Sequence, residues 1–219
     1  MSLNPQQITS LNNAIINYNY QPIYSFGNGM GPVNAGNIRN LEIIIDNLLR
    51  SNNVIDVQNG LASIVYWGNN TAGYVNYRTN TFNHNITQQH IQQFMALLVG
   101  PNMPTLEDIL NIGMPTFSRI SFISKILAFL DPDNHAVLDL RISTALHDVD
   151  GRGLNGIKYK TAIRVTAHNS ARYYAWIQEC VDISTTYFGG RYRAVDVERG
   201  FFNLISIDLI LAKNIYRDA

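Results

Sequence analysis

Cysteine is the scarcest informative residue, with one in 219, and its scarcity sets the first exclusions. Cys180 has no partner for an internal disulfide and no Cys/His spacing matches a zinc site. A disulfide scaffold and a zinc fold are therefore set aside, and a reducing compartment, the cytoplasm, is expected. An excess of one charge is also missing: sixteen Lys and Arg balance sixteen Asp and Glu, for a net charge of zero and a pI near 7.0. The chain thus lacks the basic surplus with which most nucleic-acid binders neutralise phosphate, and a DNA partner would require its cations to be gathered on one face. Arginine, which outnumbers lysine here, is the residue suited to that. No apolar run is long enough to cross a bilayer, and the first residues lack the basic and apolar parts of a signal peptide, so neither a membrane partner nor secretion is expected. With 15% charged and 46% hydrophobic residues, disorder is excluded and a sizeable core is implied.

What the chain does contain is helical periodicity. Pro5 followed by Ile8, Leu11, Ile15 and Ile16 predicts a first helix to about residue 18, and the Gly27-Asn-Gly-Met-Gly-Pro32 run breaks it. Asn37 is placed to cap a second helix carrying Leu41, Ile44, Ile45, Leu48 and Leu49, and a third is predicted over 54–66. The Asn-, Thr-, Gly- and Tyr-rich stretch 67–85 is expected to be the longest irregular segment, with a short hairpin and a ligand-accessible surface. Thr87 opens an amphipathic helix closed by Gly100-Pro101, and Thr105-Leu-Glu-Asp108 has the form of a capping box. A helix over 117–130 is apolar all round and should be buried, Asp131-Pro-Asp-Asn134 stops it, and a helix restarts over 139–147. A break at Gly151, Gly153 and Gly156 precedes helices over 169–187 and 195–216. The class is all-α, and we expect one unit spanning 1–219, the other arrangement being two closely packed lobes.

The residues that stand out chemically lie between 118 and 143. A buried helix, a Pro-containing break and an apolar triplet deliver Asp139 to the start of the next helix. Asp at such a position is by default an N-cap. The segment Ala136-Val-Leu-Asp-Leu-Arg-Ile142, preceded by Met114-Pro-Thr-Phe-Ser-Arg119, resembles the hairpin and Val-Asp motif of the helix-hairpin-helix DNA glycosylases. The resemblance is most specific over 87–146, and more loosely the chain is similar to bacterial 8-oxoguanine DNA glycosylase-like proteins. It implies a helix-hairpin-helix glycosylase-like bundle, DNA as partner, no metal and no organic cofactor. It further implies Asp139 as catalytic carboxylate and Ser121 at the position where bifunctional members carry a Schiff-base lysine. Serine there implies a monofunctional enzyme without a lyase step. Lys125, one turn along the same helix, is the other nucleophile candidate, weighed against an ordinary snorkelling or ion-paired lysine. The turn has no Gly-x-Gly, which leaves Arg119 as a side-chain substitute for backbone phosphate contact.

Further DNA-contact candidates are Arg141, the series Arg164, His168 and Arg172 at four-residue spacing, and Arg191 and Arg193 in the charged block 191–199. In that block Arg193 with Asp196, and Glu198 with Arg191 or Arg199, have the alternative of pairing on a solvated helix start, while Asp196 is a rival catalytic carboxylate. Tyr66, Trp67, Phe201 and Phe202, with Tyr74 and Tyr77 nearby in sequence, are the candidates for a base pocket, against the usual role of aromatics as core. The glycine run 27–31 lacks both the Lys-Ser/Thr of a P-loop and a strand-turn-helix context, so it reads as a turn, and Cys180 reads as buried. The expected function is monofunctional removal of a damaged or modified purine. The alternatives are a catalytically silent nucleic-acid or protein-binding relative, and an interaction protein in which Asp139 is only a cap.

Overall fold

The computed structural model describes residues 2–219 and is all-α, with eleven helices and one two-stranded ribbon among them. The chain divides into two compact units: residues 2–19 with Asp131–Ala219, and Tyr20–Leu130.

The discontinuous unit holds α1 (Pro5–Ile16), α8 (Leu140–Leu146), α9 (Ala167–Phe188), α10 (Ala194–Ile207) and α11 (Leu209–Asp218). α1 starts where the sequence places it: Pro5 takes the first turn, and Asn4 and Gln7 satisfy each other's backbone amides in a capping box. It packs on α10 at Gly200, where a Cβ would fall 2.6 Å from Ile15 and 3.0 Å from Leu11, so glycine sets how closely the two helices approach. The core is aromatic. Trp176, Phe201 and Tyr216 meet edge to face with centroids 5.4–5.7 Å apart, and all are fully buried. The glycine break is locked on by Glu179, which accepts from the Gly153 amide at 2.8 Å and from the Tyr216 hydroxyl at 2.5 Å.

The single helix predicted over 195–216 is two. Asp208 leaves helical geometry at φ −151°, ψ 94° and caps α11 by accepting from the Leu211 amide, and the change of direction returns Ala212, Ile215 and Tyr216 to the core. A Ser-Ile-Asp run before an apolar helix is a cap signal that periodicity alone overrides.

The continuous unit holds β1 (Ile23–Tyr24) and β2 (Val33–Asn34), paired antiparallel, and α2 (Ile38–Leu49), α3 (Val54–Gly68), α4 (Val75–Asn85), α5 (Gln88–Val99), α6 (Leu106–Ile112) and α7 (Ile120–Leu130). Buried α3 is its centre, packing on α2, α4, α5 and α7. The structure corrects the reading of 67–85: its second half is the helix α4, and the short hairpin lies instead at 23–34, around the glycine run. Asn and Thr are weak helix formers. α4 is held by tertiary anchors, with Phe82 edge-on to Phe117 at 5.8 Å and Asn83 donating to the Phe26 carbonyl at 2.7 Å. No helix among the described residues is long and apolar enough to cross a membrane.

Candidate functional site

Asp139 stands at the end of a clamped extended run. Ala136, Val137 and Leu138 are buried, with the Tyr173 hydroxyl donating to the Ala136 carbonyl at 3.2 Å and the Trp176 indole to the Val137 carbonyl at 3.4 Å. Asp139 itself is half-buried. Its Oδ1 accepts from the Ile142 amide at 2.9 Å and its carbonyl accepts from the Ser143 hydroxyl at 3.0 Å, so it is the N-cap of α8. Oδ2 has no hydrogen-bond partner among the described residues. One oxygen is thus fixed by backbone and the other is left over.

Two residues on, Arg141 is exposed and begins a chain of contacts in which cations bracket two rings. Its guanidinium lies 5.0 Å from the Phe202 centroid, Phe202 meets Tyr18 edge-on at 6.4 Å, and Arg199 lies 5.4 Å over Tyr18. Phe202 keeps a half-exposed ring, whereas Phe201 is core between Trp176 and Tyr216 and has no face to offer a base.

The charged block 191–199 corrects the picture of a solvated helix start. Asp196, Glu198 and Arg199 are each at most 6% exposed. Asp196 takes Arg193 on both oxygens at 3.1 Å, caps the Arg193 amide at 3.1 Å and receives Arg199 at 3.5 Å. A carboxylate so fully paired has no oxygen left for chemistry, which removes Asp196 as a rival to Asp139. Glu198 lies close enough to Cys180 and Tyr173 to help raise both ionisations, after burial itself, and the cysteine is therefore an inert thiol. Arg191 is exposed, with its guanidinium over Tyr192.

The three-cation stripe is also corrected. Only His168 and Arg172 belong to α9; Arg164 is exposed and lies before the helix, whose cap is Thr166. His168 is spent on the Gly156 carbonyl at 2.9 Å.

In the other unit, α6 and α7 form a helical hairpin. Gly113 ends α6 in the left-handed region, and Thr116 also adopts φ +70°, a conformation that β-branched residues rarely take. Arg119 is exposed at the end of this turn. On α7, Ser121 is half-exposed and its carbonyl accepts from the Lys125 ammonium at 2.8 Å. Lys125 is buried rather than snorkelling, with its stem against Gly68 and its charge 5.1 Å over the Phe122 ring. Trp67 is buried edge-on against Tyr20 and Phe129 at 5.3 and 5.2 Å, with its indole N–H unpartnered among the described residues. Tyr66 is also buried but lines a cleft of about 270 Å³ beneath the glycine run. That cleft, formed between the 25–32 loop and α4, was not legible in the sequence, because it needs 67–85 to be helical. Among the described residues no group of three or more His, Cys, Asp or Glu side chains is arranged to hold a metal ion.

Comparisons with protein-family models, with curated proteins and with solved structures gave no match.

Proposed function

We propose that this chain is a monofunctional DNA N-glycosylase of the helix-hairpin-helix kind, hydrolysing the bond between deoxyribose and a damaged or modified purine, with an 8-oxoguanine-type base as the first candidate substrate. The observation that carries the reading is Asp139: a half-buried carboxylate with one oxygen held by the Ile142 amide and the other unengaged, on a run whose carbonyls are pinned by Tyr173 and Trp176. A carboxylate fixed in that way is suited to stabilising the positive charge that develops on the sugar as the base departs. The free oxygen would also orient a water towards the anomeric carbon. The glycosidic bond breaks, the water oxygen bonds to the sugar, and the departing base and solvent take up the electron pair and the proton.

Two further features support it. Thr116 adopts the left-handed backbone that a hairpin glycine would take, and Arg119 stands exposed beside it as a phosphate contact. The Lys125 ammonium donates to the Ser121 carbonyl, which fits an enzyme that forms no Schiff base. Arg141, Arg164 and Arg191 are exposed and remain the side chains for DNA contact, with Phe202 beneath Arg141 as the aromatic surface. The lack of glycine between Gly113 and Arg119 favours a second reading, a nucleic-acid-binding relative without base excision, because a side chain at each position leaves less room for a phosphate to approach the backbone.

The test is excision from duplex and single-stranded oligonucleotides carrying oxidised or alkylated purines, with alkali to cleave abasic sites. Asp139→Asn separates chemistry from folding, since Asn caps a helix about as well as Asp. Base release by the wild type that falls at least about 100-fold in this variant, at unchanged thermal stability, is the expected outcome. Retention of DNA binding with no release from any substrate would favour the second reading.

A further inference from the structure

Among the described residues the cleft under the glycine run is built from neutral groups: the 25–32 loop, with Ser25 and Met30, faces Tyr66 of α3 and Asn76, Thr79 and Asn80 of α4. Its walls are held in place. Ser25 Oγ accepts from the Gly27 amide at 3.2 Å and donates to the Met30 carbonyl at 3.0 Å, closing the loop on itself. Asn83 ties the root of the loop to α4 through the Phe26 carbonyl. Gly27, at φ +73°, sits where any Cβ would strike the Asn83 carboxamide, so this position requires glycine.

Ser25 and Thr79 spend their hydroxyls on backbone carbonyls, but three other polar side chains of the lining are unengaged. Tyr66 is only 6% exposed, yet its hydroxyl has no hydrogen-bond partner among the described residues. The hydroxyl oxygen is nevertheless accessible on this otherwise buried ring, and is therefore open to a ligand. Asn76 and Asn80, one helical turn apart and exposed, likewise make no side-chain hydrogen bond among the described residues. Three unengaged groups, each able to donate and accept, converge on one hollow whose volume is just below the ~300 Å³ at which pockets for drug-sized ligands begin. Among the described residues no cation lines it, so an anion has nothing to pair with. Nor does a carboxylate among them, so a metal or an amine has nothing either.

We propose that this cleft binds the uncharged base of a purine nucleoside. A carboxamide offers a donor and an acceptor side by side, the arrangement that matches the amino group and ring nitrogen on the edge of adenine. The Met30 thioether and Pro32 supply apolar cover for a flat ring. An adjoining hollow bounded by Asn28, Gly29, Asn80, Asn83 and His84 shares Gly29 and Asn80 with the cleft and gives room for the sugar. The cleft lies wholly within the Tyr20–Leu130 unit, so the proposal stands whether or not Asp139 is catalytic.

The experiment is calorimetric titration of the full chain with adenosine, uridine, adenosine 5′-monophosphate and a single-stranded deoxyadenosine oligonucleotide. Adenosine is expected to bind at one site and uridine more weakly. Tyr66→Phe and Asn80→Ala are each expected to weaken adenosine about 5- to 10-fold, the worth of one hydrogen bond. Tyr66→Phe removes a hydroxyl with no partner among the described residues, so its melting temperature should match the wild type and an effect on binding is not an effect on folding. If only the oligonucleotide binds, and Tyr66→Phe weakens it, the base comes from a strand and not from a free nucleoside. Binding of neither, binding indifferent to both substitutions, or a phosphate that tightens binding tenfold or more would each overturn the proposal.

Discussion

Thr116 is the clearest case of one residue held against its own preference. Its φ of +70° places a β-branched side chain in a region that glycine enters freely, at a cost on the order of 1–3 kcal/mol. Thr116→Gly should therefore stabilise the chain by about 1 kcal/mol net of the added freedom of the unfolded state, a rise of roughly 2–4 °C in thermal melting. The same substitution removes a side chain from the hairpin backbone, so DNA affinity should rise with it under the glycosylase reading. His135 is a second residue with a readable consequence. Burial lowers its pKa below the ordinary 6.5, against a smaller opposing pull from Asp131, and its ring lies 3.4 Å from the Tyr173 hydroxyl beside the clamped 136–138 run. The unfolded chain takes up the proton first, so its contribution to stability is complete above about pH 6.5 and is lost as the pH falls towards the lowered folded value. Urea unfolding at pH 7.5 and 5.5 should show the wild type losing more stability than His135→Gln.

Among the elements, α1 and α10 depend on a missing side chain. At Gly200 a methyl group would meet Ile15 and Leu11 of α1 within 3.0 Å, so Gly200→Ala forces the helices apart although alanine is the better helix former. The expected loss is about 1–3 kcal/mol in chemical denaturation, and a stabilised variant would mean that helix propensity outweighs the clash. α4 makes the reverse point. Its sequence is polar, it buries little beyond Thr79 and Phe82, and it exists as a helix because Phe117 and Phe26 lie where Phe82 and Asn83 can reach them. Both cleft asparagines, Asn76 and Asn80, owe their alignment on one face to that helix.

At the scale of the whole molecule the decisive quantity is charge. Net charge is zero, and the buried block around Asp196 consumes Arg193 and Arg199 in pairing. The exposed arginines among the DNA-contact candidates are Arg119, Arg141, Arg164 and Arg191. Under the glycosylase reading, DNA affinity should accordingly depend only moderately on salt, with log K against log salt no steeper than about −4. Fluorescence anisotropy on a labelled duplex between 50 and 300 mM salt measures this. A slope nearer −8 would show that cations outside this set carry the binding.

Whatever rests on neighbouring residues could be read from the chain before it was folded. Helix starts at Pro5, Ile38, Gln88 and Leu106 follow from caps and from apolar spacing, as does the placing of Asp139 ahead of α8, because both act within a few residues of chain. Whatever depends on residues far apart in the chain required packing to fix it. Packing set the helix at 75–85, the break at Asp208, the burial of the Arg193–Asp196–Arg199 cluster, the core position of Phe201 and the cleft beneath the glycine run. An aromatic ring or an Asp–Arg pair has the same local pattern at a surface as in a core. Which it becomes is fixed by the packing partner, and that partner is often more than a hundred residues away, as Ile15 is from Gly200.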